Sequence, residues 1–233
     1  MRAGRFITFE GIEGCGKSTQ ARRLVALLEA RGLPVLATRE PGGTPLADAM
    51  RAILLDPASE GLPAEAELLL LGAARAEHVR RRVLPALEGS VHVVCDRFSD
   101  STHAYQGGGR GIPSQLIDGI DIIARGSLVP DVTILLDLPA EQGLERARRR
   151  NADAATATAR PETRPETRID SEDLAFHRRV SSAFLRLAGQ DPHRLWVVDA
   201  AGDVEDVASR VEIVIRRVLP ELLGGPEPRH ATP

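Results

Sequence analysis

The densest chemistry in the chain lies in Gly11-Ile12-Glu13-Gly14-Cys15-Gly16-Lys17-Ser18, a complete G-x-x-x-x-G-K-[ST] phosphate-binding loop. Gly11 and Gly16 let backbone N–H groups crowd around phosphate oxygens, and a following helix would add its positive N-terminal end. Ile12, Glu13, Gly14 and Cys15 are the loop's variable positions, and the whole run through Thr19 reads as nucleotide-binding. Lys17 is the single lysine among 30 basic side chains; all the others are arginine. A compact ammonium reaches into a ring of phosphate oxygens as a planar guanidinium does not. Lys17 is therefore expected on the β- and γ-phosphates of ATP, and the Ser18 hydroxyl on Mg²⁺.

A loop of this kind serves motors, GTPases and kinases alike. A GTPase needs a second lysine in its base-reading motif, and the chain has none. A water-activating ATPase usually ends an apolar strand in Asp-Glu. Here one strand pattern ends in Cys95-Asp96-Arg97. Asp96 can orient a hydrated Mg²⁺, and Arg97 can bind a phosphorylated acceptor. The run Arg39-Glu-Pro41-Gly-Gly-Thr44 makes a rigid turn whose backbone can approach a ligand. Arg51 and Arg75 fall on helical stretches. Taken singly, each arginine reads as a solvated surface group; their common place around strand ends argues for a site. A further patch, Asp96 to Gly111, holds the chain's single tyrosine, Tyr105, beside Gln106 and three glycines. Tyrosine offers a sugar or base an apolar face and a polar tip.

The elements that must carry these groups alternate. Strands are expected at Phe6–Glu10, Val35–Thr38, Val91–Cys95, Val132–Asp137 and Leu195–Val198. Helices are expected at Lys17–Arg31, Leu46–Leu55, Ala64–Leu87 with Pro85 disturbing its end, Ser114–Arg125, after the fourth strand through Arg150, Asp170–Gly189 and Val204–Leu223. Such alternation gives an α/β domain with a mainly parallel, five-stranded sheet, whose ligands bind outside the carboxyl ends of the strands. Residues 1–223 read as one domain. Residues 151–167, with a doubled Arg-Pro-Glu-Thr, are low-complexity sequence, and 224–233 read as a disordered tail.

Composition excludes several classes. The net charge of −3 and the lack of a continuous basic, aromatic face argue against nucleic acid as a partner. No apolar run is long enough to span a bilayer, and no signal segment precedes the first strand. Cys15 and Cys95 lack framework spacing, so a reduced, cytoplasmic setting is expected. The histidines at 78, 92, 103, 177, 193 and 230 show no metal-ligand spacing and read as structural or exposed.

Over roughly residues 5–220 the chain resembles bacterial thymidylate kinase. The carrying segments are Phe9 to Ser18, Thr38 to Thr44, Ala73-Ala-Arg75, Asp96-Arg97 and Ala104 to Gly111. The resemblance implies a three-layer P-loop kinase fold and transfer of the γ-phosphoryl of MgATP to dTMP. By position, Glu13 matches the acidic loop residue near the dTMP sugar and phosphate, and Arg39 and Arg97 match ligands of the acceptor phosphate. Arg75 matches the arginine that reads a thymine carbonyl, Thr102 and Gln106 face the base, and Tyr105 packs on the deoxyribose. Pro41 and Arg51 complete the acceptor side. Leu71 stands where the family usually stacks a phenylalanine on thymine. The loop holds no arginine, so a lid over residues 146–170 is expected to supply one, with Arg168 the best match. A homodimer packed through helices flanking the site is also implied. A kinase for another nucleotide or a deoxynucleoside, and a nucleotide-sensing switch, are the alternatives.

Overall fold

The computed structural model describes residues 4–156, 169 and 171–224. Five parallel strands form one sheet: β1 (Phe6–Glu10), β2 (Val35–Arg39), β3 (His92–Asp96), β4 (Val132–Asp137) and β5 (Leu195–Asp199), in the order β2-β3-β1-β4-β5. β1 pairs with both β3 and β4, and every residue of β1 is buried. A strand covered on both faces reads as a near-continuous apolar run, as Phe6-Ile-Thr-Phe does, with the Thr8 hydroxyl paired to that of Thr133. The edge strands β2 and β5 are only partly covered.

The helices are α1 (Lys17–Glu29), α2 (Pro45–Leu55), α3 (Ala64–His78), α4 (Leu84–Glu88), α5 (Ser99–Thr102), α6 (Ser114–Arg125), α7 (Ala140–Thr156), α8 (Leu174–Gln190), α9 (Val204–Val218) and α10 (Pro220–Leu223). The principal core joins Ile7, Phe9 and Ile134 of the sheet to Leu24 and Leu28 of α1, Phe184 of α8 and Ile215 of α9. Each such side chain contributes about 1.5–3 kcal/mol by leaving water. Among the described residues no helix is long and apolar enough to cross a membrane.

Several boundaries depart from the sequence pattern for local reasons. α3 passes into α4 through a π-helical turn, Val79–Val83. Pro85 has no N–H for the preceding turn, and the wider π turn accommodates its ring. α7 continues to Thr156, into sequence expected to be irregular, because Ala152, Ala154 and Ala155 favour a helix. The stretch Ser99–Gly109 is helical throughout, its second part (His103–Gly109) a π-helix. Three glycines conceal this from propensity. For two of them the reason is tertiary: α8 lies so close that a methyl group on Gly108 would sit 2.4 Å from Ala183 Cβ, and one on Gly109 2.5 Å from the Phe176 ring.

Candidate active site

Because β2, β3 and β1 are neighbours, their carboxyl ends bring three connections to one edge: the phosphate loop after Glu10, the turn after Arg39, and the turn after Asp96. Arg39 and Asp96 are register partners, as are Phe9 and Asp96.

The phosphate loop enters α1 through Gly16, whose φ of 98° lies in the left-handed region that favours glycine. No side chain caps α1, whereas Thr44, Asp173 and Asp203 cap α2, α8 and α9. No side chain therefore competes with an anion for the N-terminal end of α1. Lys17 is 7% exposed. Its Nζ folds back over the loop, 2.7 Å from the Ile12 carbonyl and 3.7 Å from Cys15 Sγ. Burial pushes the Cys15 thiol up, so it is a filler of the loop rather than a nucleophile.

Ser18 Oγ donates to Asp96 Oδ2, which brings the two expected metal-side residues together. Asp96 Oδ1 is buried and has no hydrogen-bond partner among the described residues. A hydroxyl beside a carboxylate with an unpartnered oxygen is the hard-oxygen donor set that suits Mg²⁺. Among the described residues no group of three or more His, Cys, Asp or Glu could hold a metal ion, so such an ion would share its shell with water and phosphate.

Arg97 follows Asp96 with a φ of 70°, a conformation L residues seldom adopt. Its guanidinium is fixed on every side. Nη1 donates to the Gly11 carbonyl and to Ser101 Oγ, both at 3.1 Å. Nη2 donates to Glu13 Oε1 at 2.9 Å and to Tyr105 Oη at 3.2 Å. The Tyr105 hydroxyl donates to the same Glu13 oxygen at 2.6 Å. Burial would push the Glu13 carboxyl up, but His177, Arg97 and Lys17 together hold it down at about 2. Glu13 is therefore an anion that orients the arginine.

Behind the turn, Glu10 at the end of β1 accepts from Phe98 N at 2.7 Å, Ser101 N at 3.2 Å and Ser101 Oγ at 2.6 Å. It holds the backbone that aims Arg97. Burial, and then the nearby Asp100 charge, push its carboxyl up to about 7.

A cleft opens beside Arg97, the concave kind of surface that small ligands occupy. Pro41, Arg51, Leu71, Arg75, Thr102, Tyr105 and Gln106 all line it. Arg75, 4% exposed, donates to Glu40, Asp121, the Phe98 carbonyl and Thr102 Oγ1. Gln106 Nε2 donates to Glu67 at 2.6 Å, which turns its amide oxygen away from that carboxylate. Leu54, Leu55, Leu71 and Ile169 give the cleft an aliphatic wall. Arg51 donates to the Pro41 carbonyl at 3.0 Å. Arg39 sits outside this lining, exposed at the end of β2 and 3.7 Å from Asp48. Arg168 lies outside the described residues.

Sequence reasoning missed Glu10, Glu40, Glu67, Asp121 and His177. Each contacts a site residue across 35 to 164 positions of sequence, and no local spacing marks such pairs. The one available signal was Glu10, adjacent to the loop's first glycine.

A phosphate loop for a donor, an oxygen pair for a divalent ion, and an arginine shared with a second cleft define a P-loop nucleotide kinase. The sequence profile of the family described as thymidylate kinase matches residues 9–211. The chain is 50% identical over 206 residues to a protein named thymidylate kinase from Trichlorobacter lovleyi, covering 88% of this chain and 94% of that one. It is 48% identical over 219 residues to the thymidylate kinase of Geobacter sp. strain M21, covering 94% of each. The crystal structure of thymidylate kinase from Ehrlichia chaffeensis superposes with a TM-score of 0.69 at 34% identity, over 91% of this chain and 98% of that one. The chain belongs to the thymidylate kinase family.

Proposed function

We propose that the protein transfers the γ-phosphoryl group of ATP to dTMP, giving ADP and dTDP. A dTMP phosphate oxygen forms the new bond to the γ-phosphorus, and the bond to the β,γ-bridging oxygen breaks. The acceptor is already anionic, so no strong base is required and positioning with charge neutralisation carries the reaction. The observation that carries this reading is the placement of Arg97. It donates to the donor loop at Gly11 and lines the acceptor cleft, so one cation serves both phosphates. Lys17 would leave the Ile12 carbonyl for the β- and γ-phosphates. Ser18 and Asp96 would hold Mg²⁺, which screens the charge of the phosphate oxygens when bound. A coupled ADP-release assay across dTMP, dUMP, dCMP, UMP, CMP and thymidine tests the reading; preference for any acceptor other than dTMP overturns it.

The remaining charge on the transferred group is met from a lid spanning residues 146–170, with Arg168 closing over the phosphates. Two facts support this: Gly11 to Ser18 holds no arginine, and Arg146, Arg148, Arg149 and Arg150 lie on α7, which runs toward that segment. Arg168→Ala should reduce turnover at least a hundredfold, the usual size for a lost transition-state cation. An unchanged rate, with Arg149→Ala or Arg150→Ala inactive instead, moves the role to those residues. The working unit is a homodimer packed through α3 and α6. Leu69 on α3 and Leu116, Ile122 and Ile123 on α6 are large exposed apolar side chains that support it.

A further inference from the structure

Glu13 presents its carboxylate in two directions. Oε1 is taken by Arg97 and Tyr105. Oε2 is buried, accepts no hydrogen bond among the described residues, and faces His177 Nδ1 at 3.3 Å. His177 is 1% exposed, and neither ring nitrogen has a hydrogen-bond partner among the described residues. Its ring stands edge-on to Phe176 at 5.4 Å. A histidine serving only to pack here would be outdone by an apolar side chain, since burying unpaired ring nitrogens is costly. The two unpartnered groups face one another, and a small rotation of either brings them into hydrogen-bonding geometry.

We infer that His177 is a positioning residue whose Nδ1–H closes on Glu13 Oε2 and fixes the carboxylate that aims Arg97 at the acceptor phosphate. The inference rests on the reading of Arg97 given above. Its place in the fold explains why the contact comes from α8. Residues 157–173 join α7 to α8, so these two helices flank the segment expected to cover the donor. α7 meets the same loop residue from the other side, because a methyl group on Gly143 would lie 2.5 Å from the Glu13 carbonyl oxygen. Glu13 is thus held by its main chain from α7 and by its side chain from α8. The charges acting on the carboxylate are Arg97 and Lys17.

Three variants test this. His177→Asn keeps a donor near the place of Nδ1, His177→Gln moves it to the place of Nε2, and His177→Phe fills the volume with no donor. The Gln and Phe variants should raise the KM for dTMP about tenfold, the effect of one lost polar contact. Their KM for ATP should stay within about twofold, while the Asn variant stays within about threefold of the parent in both. A Gln or Phe variant with the parental KM for dTMP overturns the inference, as does an Asn variant no better than Phe. If the Phe variant does not fold, the Asn and Gln pair decides. Nitrogen-15 NMR of the imidazole is independent of the substrate: Nδ1 should be protonated, and its resonance should move in Glu13→Gln. An unprotonated Nδ1 overturns the positioning role, whereas failure of the parent to phosphorylate dTMP would overturn only the reading of the reaction.

Discussion

Arg75 and Glu40 form a buried ion pair, Nε to Oε2 at 2.8 Å, with each side chain 4% exposed. Glu40 also meets His78 Nδ1 at 2.9 Å, and Arg75 reaches Asp121 at 2.9 Å. The guanidinium that faces the cleft is therefore first an organiser of α3, α6 and the turn after β2. Four of its five N–H groups are engaged within the protein, which leaves one for a ligand. Arg75→Ala would strand two buried carboxylates. We expect a stability loss of about 3–5 kcal/mol, the usual cost of removing one partner of a buried pair. Urea denaturation measures it, and a loss below about 1 kcal/mol would show that the cluster relaxes freely.

Lys17→Arg makes the substitution that the rest of the chain adopts at every other basic position. Lys17 is nearly buried, with Nζ against the Ile12 carbonyl, so a guanidinium does not fit the loop's interior. Turnover should fall at least about a hundredfold, the scale of losing one preorganised charge at a developing oxyanion. The melting temperature should stay within about 3 °C of the parent, since a change near 1 kcal/mol shifts a domain of this size by that much. Turnover within tenfold of the parent would remove Lys17 from the reaction.

Glu10 and Glu13 should give opposite pH dependences of stability. The folded carboxyl of Glu10 is pushed up from 4.5 to about 7. Its contribution is therefore fully present below pH 4.5 and is lost as pH rises through 7, by on the order of 3 kcal/mol. Glu13 is held down from 4.5 to about 2, so its contribution is present above pH 4.5 and is lost as pH falls toward 2. In urea titrations, Glu10→Gln should gain on the parent between pH 4.5 and 8. A stability gap that does not change with pH across that window would refute the assignment for Glu10.

Gly143→Ala tests the close packing of α7 on the phosphate loop. Its backbone is ordinary helix, so the substitution carries no conformational penalty of its own. The added methyl would lie 2.5 Å from the Glu13 carbonyl, and overpacking of this kind costs about 1–3 kcal/mol. The KM for ATP should rise with it, because the carbonyl belongs to the loop. Parental stability together with parental KM would mean that α7 is free to move away.

Charges on the exposed face of α6 test the dimer. Ile123 is 74% exposed and Ile122 62% exposed. The double variant Ile122→Glu, Ile123→Glu should sediment as a monomer while the parent sediments as a dimer. A monomeric parent would dismiss the interface.

Much of the donor side was legible in the sequence, because a phosphate loop is a contiguous object. Strand, glycines, lysine and helix follow one another, and β1 and α1 hold them as the pattern implies. The acceptor side was legible only in its cations and aromatic. Tyr105 stands out as the single tyrosine, and Arg75 and Arg97 only by their common place around the strand ends, but the carboxylates that orient them do not. Glu40, Glu67 and Asp121 look like any surface acid until the fold buries them opposite Arg75 and Gln106. The helix from Ser99 to Gly109 was hidden for a related reason. Its glycines oppose a helix locally, and Gly108 and Gly109 are required by the approach of α8. From spacing alone His177 reads as structural or exposed, and only the placement of α8 brings it to Glu13. What sequence pattern carries is contact along the chain; what it lacks is contact across it.

Lys17 has one more consequence. Its ε-amine is the chain's only side-chain amine, and it lies inside the loop. Amine-directed acylating reagents therefore have a single internal target, and the rate of that acylation measures whether the loop is filled. A lysine-specific protease likewise has one cut to make, after residue 17. The protein carries its own single-point footprint of nucleotide occupancy, with no surface lysines to obscure it.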